Sequence, residues 1–239
     1  MKRKPPEGNV RRVASIDHNF RGITTNKRGR IVQFESEQER KLILLLERDK
    51  AVADYDSQPE TLYFDDAVGH TKRYTPDFKV WRIDGSIEIH EVSVEQRREQ
   101  LNLRVREEAA MRICQARGWR YVIHTDRTLP QQGEYVNLSF LSMFRARAYL
   151  AAGVEVWWRD QLGCESLHPT RVLAAVATQT QGVLLNGLYH LIWHDRVGID
   201  WRQALIVKGE IAPTAKIWHQ EVGRDAEMTS SCNPSEVAL

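Results

Sequence analysis

The chain has 239 residues, 42% hydrophobic and 28% charged, with 34 Lys and Arg against 32 Asp and Glu. That composition suits a globular protein of one large or two small domains. It excludes a helical membrane span, since no apolar run approaches the roughly 20 residues required. Cys114, Cys164 and Cys232 are odd in number and far apart, so they fit neither a disulfide framework nor a CxxC zinc site. Met1 to Val10 has no apolar h-region behind it, and a cytoplasmic, reduced protein is expected.

Residues 1–30 carry nine basic residues against two acidic ones, without a sustained period. They are expected to form a loose basic arm, in which Lys2, Arg3, Lys4, Arg11, Arg12, Lys27, Arg28 and Arg30 are candidate contacts to DNA phosphates. Ser36-Glu37-Gln38-Glu39 followed by Leu42, Ile43, Leu45 and Leu46 predicts a capped amphipathic helix ending near Asp49. Strand-like runs follow over Ala51–Tyr55, Thr61–Phe64, Arg73–Ile83 and Ile87–Val94, with Asp84-Gly85 as a hairpin turn between the last two. A charged helix is predicted from Glu95 to Arg117, burying Leu101, Val105, Ala109 and Ile113, with a strand over Trp119–His124 after it.

This order packs as a mixed α/β sheet flanked by helices, over residues 31–130. Beyond the turn-rich Thr125–Gly133, residues 131–220 turn mainly helical, over Asn137–Ala152, Pro169–Gln179 and Gly182–Asp195. Three helices with a short terminal strand pair suit a winged-helix, partner-binding module. The acidic 221–239 segment is expected to be a disordered tail.

The chemistry concentrates in two motifs. Asp77, in Tyr74-Thr75-Pro76-Asp77-Phe78, and Glu91, in Ile89-His90-Glu91-Val92-Ser93, are nearly equidistant from the hairpin turn and become cross-strand neighbours. Adjacent carboxylates repel unless a cation lies between them, and hard oxygen ligands suit Mg²⁺ or Mn²⁺. Glu39 is a third acid, on the buried face of its helix, where it is either a capping-box residue or a metal ligand. The three acids together describe metal-assisted phosphodiester hydrolysis. His190 and His194, four apart, lack a third ligand and are expected to be packing residues. Arg97, Arg98, Arg104, Arg106 and Arg112 are either a DNA-facing set or a solvated face threaded by Glu95, Glu99, Glu107 and Glu108.

These residues resemble the PD-(D/E)xK nucleases, and more narrowly the TnsA endonuclease subunits of Tns-type transposases. Phe34 to Glu39 is similar to that family's ESxxE helix start and Gln58-Pro59 to its QP step. Tyr74 to Phe78 matches its YTPDF strand, and Glu91-Val92 the EV of its EVK. The likeness runs from Gln33 to Thr125, with a looser helical match to Val207. It implies a restriction-endonuclease-like fold in a bacterial cytoplasm, holding Mg²⁺ through Glu39, Asp77, Glu91 and the Val92 carbonyl. It further implies cleavage of double-stranded DNA at transposon 5′ ends, beside a TnsB-like DDE transposase and a TnsC-like ATP-dependent regulator.

The motif departs at one position. Ser93 stands where the family has lysine, and a hydroxyl has neither the charge nor the reach to replace it. Ser93 also has a local explanation, as a capping box with Gln96 opening the following helix. Lys79 is the first-ranked substitute, ahead of Gln96 and Glu108. The alternatives are a catalytically weakened scaffold bridging transposase, regulator and DNA, or a stand-alone restriction or repair nuclease of the same fold.

Overall fold

The computed structural model describes residues 21–65, 68–101, 103–163 and 166–219. The chain divides into two compact units, Met1–Pro130 and Gln131–Leu239.

The first unit opens with a hairpin, β1 (Gly22–Thr25) and β2 (Ile31–Phe34). The expected loose arm therefore contains a strand. Asn26 makes the turn: its Oδ1 accepts the Arg28 and Arg30 N–H groups at 3.1 and 2.9 Å, and Gly29 takes the left-handed conformation. Helix α1 (Glu37–Arg48) follows, with Ser36 Oγ accepting the Glu39 N–H at 3.1 Å. Its buried residues Leu42, Ile43, Leu44 and Leu46 each contribute about 2 kcal/mol of apolar burial.

Five strands come next: β3 (Val52–Ser57), β4 (Leu62–Asp65), β5 (Thr71–Tyr74), β6 (Phe78–Arg82) and β7 (Ile87–Ser93). Arg73–Ile83 is thus two strands, parted where Pro76 cannot donate to a ladder. The single helix expected over Glu95–Arg117 is two, α2 (Glu95–Gln100) and α3 (Arg104–Ala116), and β8 (Arg120–Thr125) follows.

The main sheet has the order β3-β6-β7-β8. Its first two pairings are antiparallel and β7–β8 is parallel, which requires the α2–α3 crossover. One face carries the larger core, with Leu42, Ile43 and Leu46 of α1 against Tyr55, Phe78 and Val80. A smaller cluster joins Leu62 and Tyr74 to Ala110 of α3, with Ile113 and Tyr121 packed on it. The result is a mixed α/β unit of the restriction-endonuclease-like kind.

The break in the crossover rotates its buried stripe. Glu107, Ala109, Ala110 and Cys114 are the buried residues of α3, whereas Leu101 and Val105 are 56% and 48% exposed. Nor does Ser93 open α2 as a capping box: the N-cap is Val94, and Asp126 Oδ1 accepts the Glu95 N–H at 2.8 Å.

The second unit is mainly helical, with α4 (Gln132–Leu141), α5 (Val154–Leu162), α6 (Pro169–Leu173) and α7 (Thr178–Trp193). Helix α4 ends earlier than expected, in short 3-10 turns, and α5 was not expected; Gly153 at its N-cap, φ 81°, hides its start. Trp158 is fully buried and donates from Nε1 to the Leu184 carbonyl at 2.8 Å. Two small ladders complete the unit: β9 (Val197–Ile199) with β12 (Ile217–His219), and β10 (Ile206–Val207) with β11 (Glu210–Ile211). His190 Nδ1 donates to the Phe144 carbonyl, and His194 Nε2 to that of Arg145, both at 2.9 Å. Both rings are thereby engaged with backbone.

Candidate active site

The β6–β7 hairpin sets the positions of two acids. Trp81 opposes Ile87, leaving residues 82–86 for the bend, and Gly85 supplies φ 84°. Phe78 opposes His90, so Asp77 and Glu91 are the next cross-strand pair outward. Gln58 fixes the entry to β6. It adopts φ 47° before Pro59, donates its N–H to the Asp77 carbonyl at 2.7 Å, and its Nε2 reaches Glu35 Oε1 at 3.1 Å. A non-glycine residue in that region costs about 1 kcal/mol or more, which the surrounding contacts must outweigh.

Glu39, Asp77, Glu91, Val92 and Ser93 line one cleft of about 740 Å³. Asp77 Oδ2 accepts the Val92 N–H at 2.8 Å. Glu91 is buried; it accepts from the Tyr74 hydroxyl at Oε2 and from Arg106 Nη2 at Oε1, the latter at 2.6 Å. Glu39 completes the cap, with Oε2 accepting the Glu35 N–H at 2.8 Å and Oε1 the Ser36 hydroxyl at 3.0 Å. The capping reading of Glu39 is thus the one its hydrogen bonds show, and the same side chain lines the cleft with Asp77.

The acids hold their protons abnormally well. Burial and then the Asp77 charge raise the Glu39 pKa to about 7. Burial and then Glu91 raise that of Asp77 well above the carboxylate range. Glu91 is also raised by burial, against the opposing pull of Arg106 and Tyr74. Arg21, Arg73, Arg97 and Arg106 also line the cleft, and Arg106 bonds Glu91; the hard oxygen donors of Glu39, Asp77, Glu91 and the Val92 carbonyl are of the kind that could hold a divalent cation. Among the described residues, no three His, Cys, Asp or Glu side chains are already gathered at ligand spacing.

Lys79 lies elsewhere. Its Nζ sits 3.4 Å from Glu60 Oε1 and 3.9 Å from the centroid of the Trp119 ring, and it does not line the cleft. Gln96 and Glu108 do not line it either. Lys27 donates to the Asp49 and Val52 carbonyls, and Arg30 is paired with Asp54 and Asp56, so both brace unit one. Arg28 is 67% exposed at its side chain, 3.5 Å from Asp54. Lys2, Arg3, Lys4, Arg11 and Arg12 lie outside the described residues.

Within the crossover set, Arg98 is spent on Glu95 and Glu107, and Arg104 on Glu108. Arg106 alone of that set bonds a cleft acid. A sequence signal existed, since it lies one helical turn before Ala110, yet the neighbouring Glu107 and Glu108 made the segment look uniformly solvated. Also unforeseen is a polar chain through His90, whose Nε2 lies 2.9 Å from Glu88 and whose Nδ1 lies 2.9 Å from His124 Nε2. Burial lowers both histidine pKa values to about 4, so both rings are neutral at pH 7.

Residues 49–126 match the family model described as TnsA-like endonuclease N terminal. That stretch includes Asp77, Glu91 and the whole crossover, and begins after Glu39. No curated protein matches the chain.

Proposed function

We propose that this chain, TnsA-like over residues 49–126, is the metal-dependent endonuclease subunit of a transposase, hydrolysing phosphodiesters at transposon 5′ ends. The observation that carries this reading is the convergence of three proton-retaining carboxyls, from α1, β6's entry and β7, on one cleft. Glu39, Asp77, Glu91 and the Val92 carbonyl would hold Mg²⁺, with Mn²⁺ as a substitute. When bound, that cation polarises the phosphate and lowers the pKa of the attacking water.

The chain's own residues prepare this. Burial and mutual proximity raise the pKa values of Asp77 and Glu91, so cation loading would compete with protons and would weaken at acid pH. The Val92 N–H fixes the Asp77 carboxylate, Tyr74 and Arg106 fix that of Glu91, and the Ser36 cap fixes Glu39. Duplex DNA is the substrate in this reading. A DDE transposase and an ATP-dependent regulator are the partners, with the second unit contacting them.

Thermal melts of wild type and Asp77→Asn in Mn²⁺ test this. A site with Kd tenfold below the free ion adds about 1.4 kcal/mol, a shift of a few degrees. Wild type is expected to gain this, while the variant starts at least as stable and gains nothing. If neither responds, the acids are structural. Ser93 favours that second reading, a scaffold that lost catalysis with its lysine. Where wild type does respond to Mn²⁺, Ser93→Lys separates the two: a dead scaffold would gain cleavage, whereas a re-wired site would gain little.

A further inference from the structure

Arg106 has hydrogen-bonding capacity that the protein does not use. Its Nη2 binds Glu91 Oε1 at 2.6 Å, and its guanidinium carbon lies 4.6 Å from the centroid of the Tyr74 ring. Its Nε is buried with no hydrogen-bond partner, and no described residue accepts from Nη1. A guanidinium carries five N–H donors in a rigid plane matched to two oxygens of a phosphate or carboxylate. Nε is sealed, but Nη1 keeps some exposure, so it is the donor that an acceptor arriving later can reach. Arg98, on the same crossover, contrasts with it: its Nε, Nη1 and Nη2 are all bonded to Glu95 or Glu107.

Its location narrows what that acceptor is. Arg106 lines the cleft of Glu39, Asp77 and Glu91, where Ser93 brings no charge. The break after Gln100 starts α3 at Arg104, and Glu107, Ala109 and Ala110 then face inward, which turns Arg106 towards Glu91. Arg73 and Arg97 line the same cleft from exposed positions, without touching the acids.

Resting on the metal-nuclease reading above, we propose that Arg106 is a catalytic residue: its unused Nη1 donor binds a non-bridging oxygen of the scissile phosphate, supplying from α3 the positive charge that β7 lacks at Ser93. The guanidinium stays protonated throughout, so it transfers no proton and acts as a fixed charge where negative charge develops.

The test uses the full chain as wild type, Arg106→Ala, Arg106→Lys and the double variant Arg106→Ala with Ser93→Lys. Affinity for a short DNA duplex in Ca²⁺ is read against salt, nicking of supercoiled plasmid is read in Mn²⁺, and Mn²⁺-induced melting shifts are read alongside. For Arg106→Ala, nicking is expected to fall about 10²–10³-fold. The salt slope, which needs no turnover, should drop by about 0.9, the loss of one phosphate contact. The Mn²⁺ shift should persist, because the arginine repels the cation rather than holding it. A role confined to bracing Glu91 would instead erase that shift, and would overturn the proposal. Ser93→Lys should restore slope and nicking to Arg106→Ala, and Arg106→Lys should keep part of both. An unchanged slope in Arg106→Ala, or no restoration by Ser93→Lys, would also overturn it. A wild type that neither binds duplex DNA nor responds to Mn²⁺ would remove the nuclease reading itself, a result distinct from these.

Discussion

Glu39→Gln should stabilise the metal-free protein, increasingly so as pH rises. Glu39 titrates near 7 in the fold against 4.5 when unperturbed, because burial and Asp77 both disfavour its charge. Each pKa unit corresponds to about 1.4 kcal/mol, so ionised Glu39 costs the fold about 3 kcal/mol. The unfolded chain ionises first, so stability is lost between about pH 4.5 and pH 7 and is level above that. Glutamine keeps the cap, since its Oε1 can accept the Glu35 N–H and its amide can donate to Ser36 Oγ, but it has nothing to ionise. Thermal melts in chelator should coincide near pH 4.5 and then diverge. By pH 8 the variant should lead by about 3 kcal/mol, or about 10 °C for a unit of this size. Millimolar Mn²⁺ should narrow the gap by stabilising wild type alone. A variant melting with or below wild type at pH 8 would show that Glu39 is an ordinary cap, and the three-carboxyl argument would lose a member.

Lys79→Met should leave plasmid nicking and duplex affinity within about twofold of wild type, since Nζ is engaged with Glu60 and Trp119 outside the cleft; a 10²-fold fall in nicking would refute this. Gly187→Ala should destabilise the second unit by about 1–3 kcal/mol, because the new Cβ would lie 2.3 Å from Val154 Cγ1, where α7 meets α5. Denaturant unfolding followed by tryptophan fluorescence reads this through Trp158, and an unchanged midpoint would refute it.

What was legible in the sequence was local. Asp84-Gly85 announced the hairpin, and counting outward from it paired Asp77 with Glu91, within half a residue of the observed symmetry point at Asp84. Ser36 and Glu39 announced α1 in the same way. What escaped depends on contacts between distant residues. The cap of α2 comes from Asp126, thirty-one residues beyond the N–H it receives, and no local pattern around Ser93 reveals it. The periodicity from Glu95 to Arg117 is continuous enough for one helix, and only packing shows the break that exposes Leu101 and Val105. Arg106 was hidden for the same reason, and β1 was masked by the basic residues of its own turn.

The hairpin carries a consequence for how such a chain can change. Its two acids lie at matched distances on either side of one short bend, so their meeting depends on how many residues separate them. Faces alternate along each strand, so exchanging side chains between Phe78 and His90 leaves the pair opposed. Adding or losing a single residue there would send one of the two to the opposite side of the sheet. This stretch is therefore tolerant of altered lettering and intolerant of odd changes in length, a constraint written in parity.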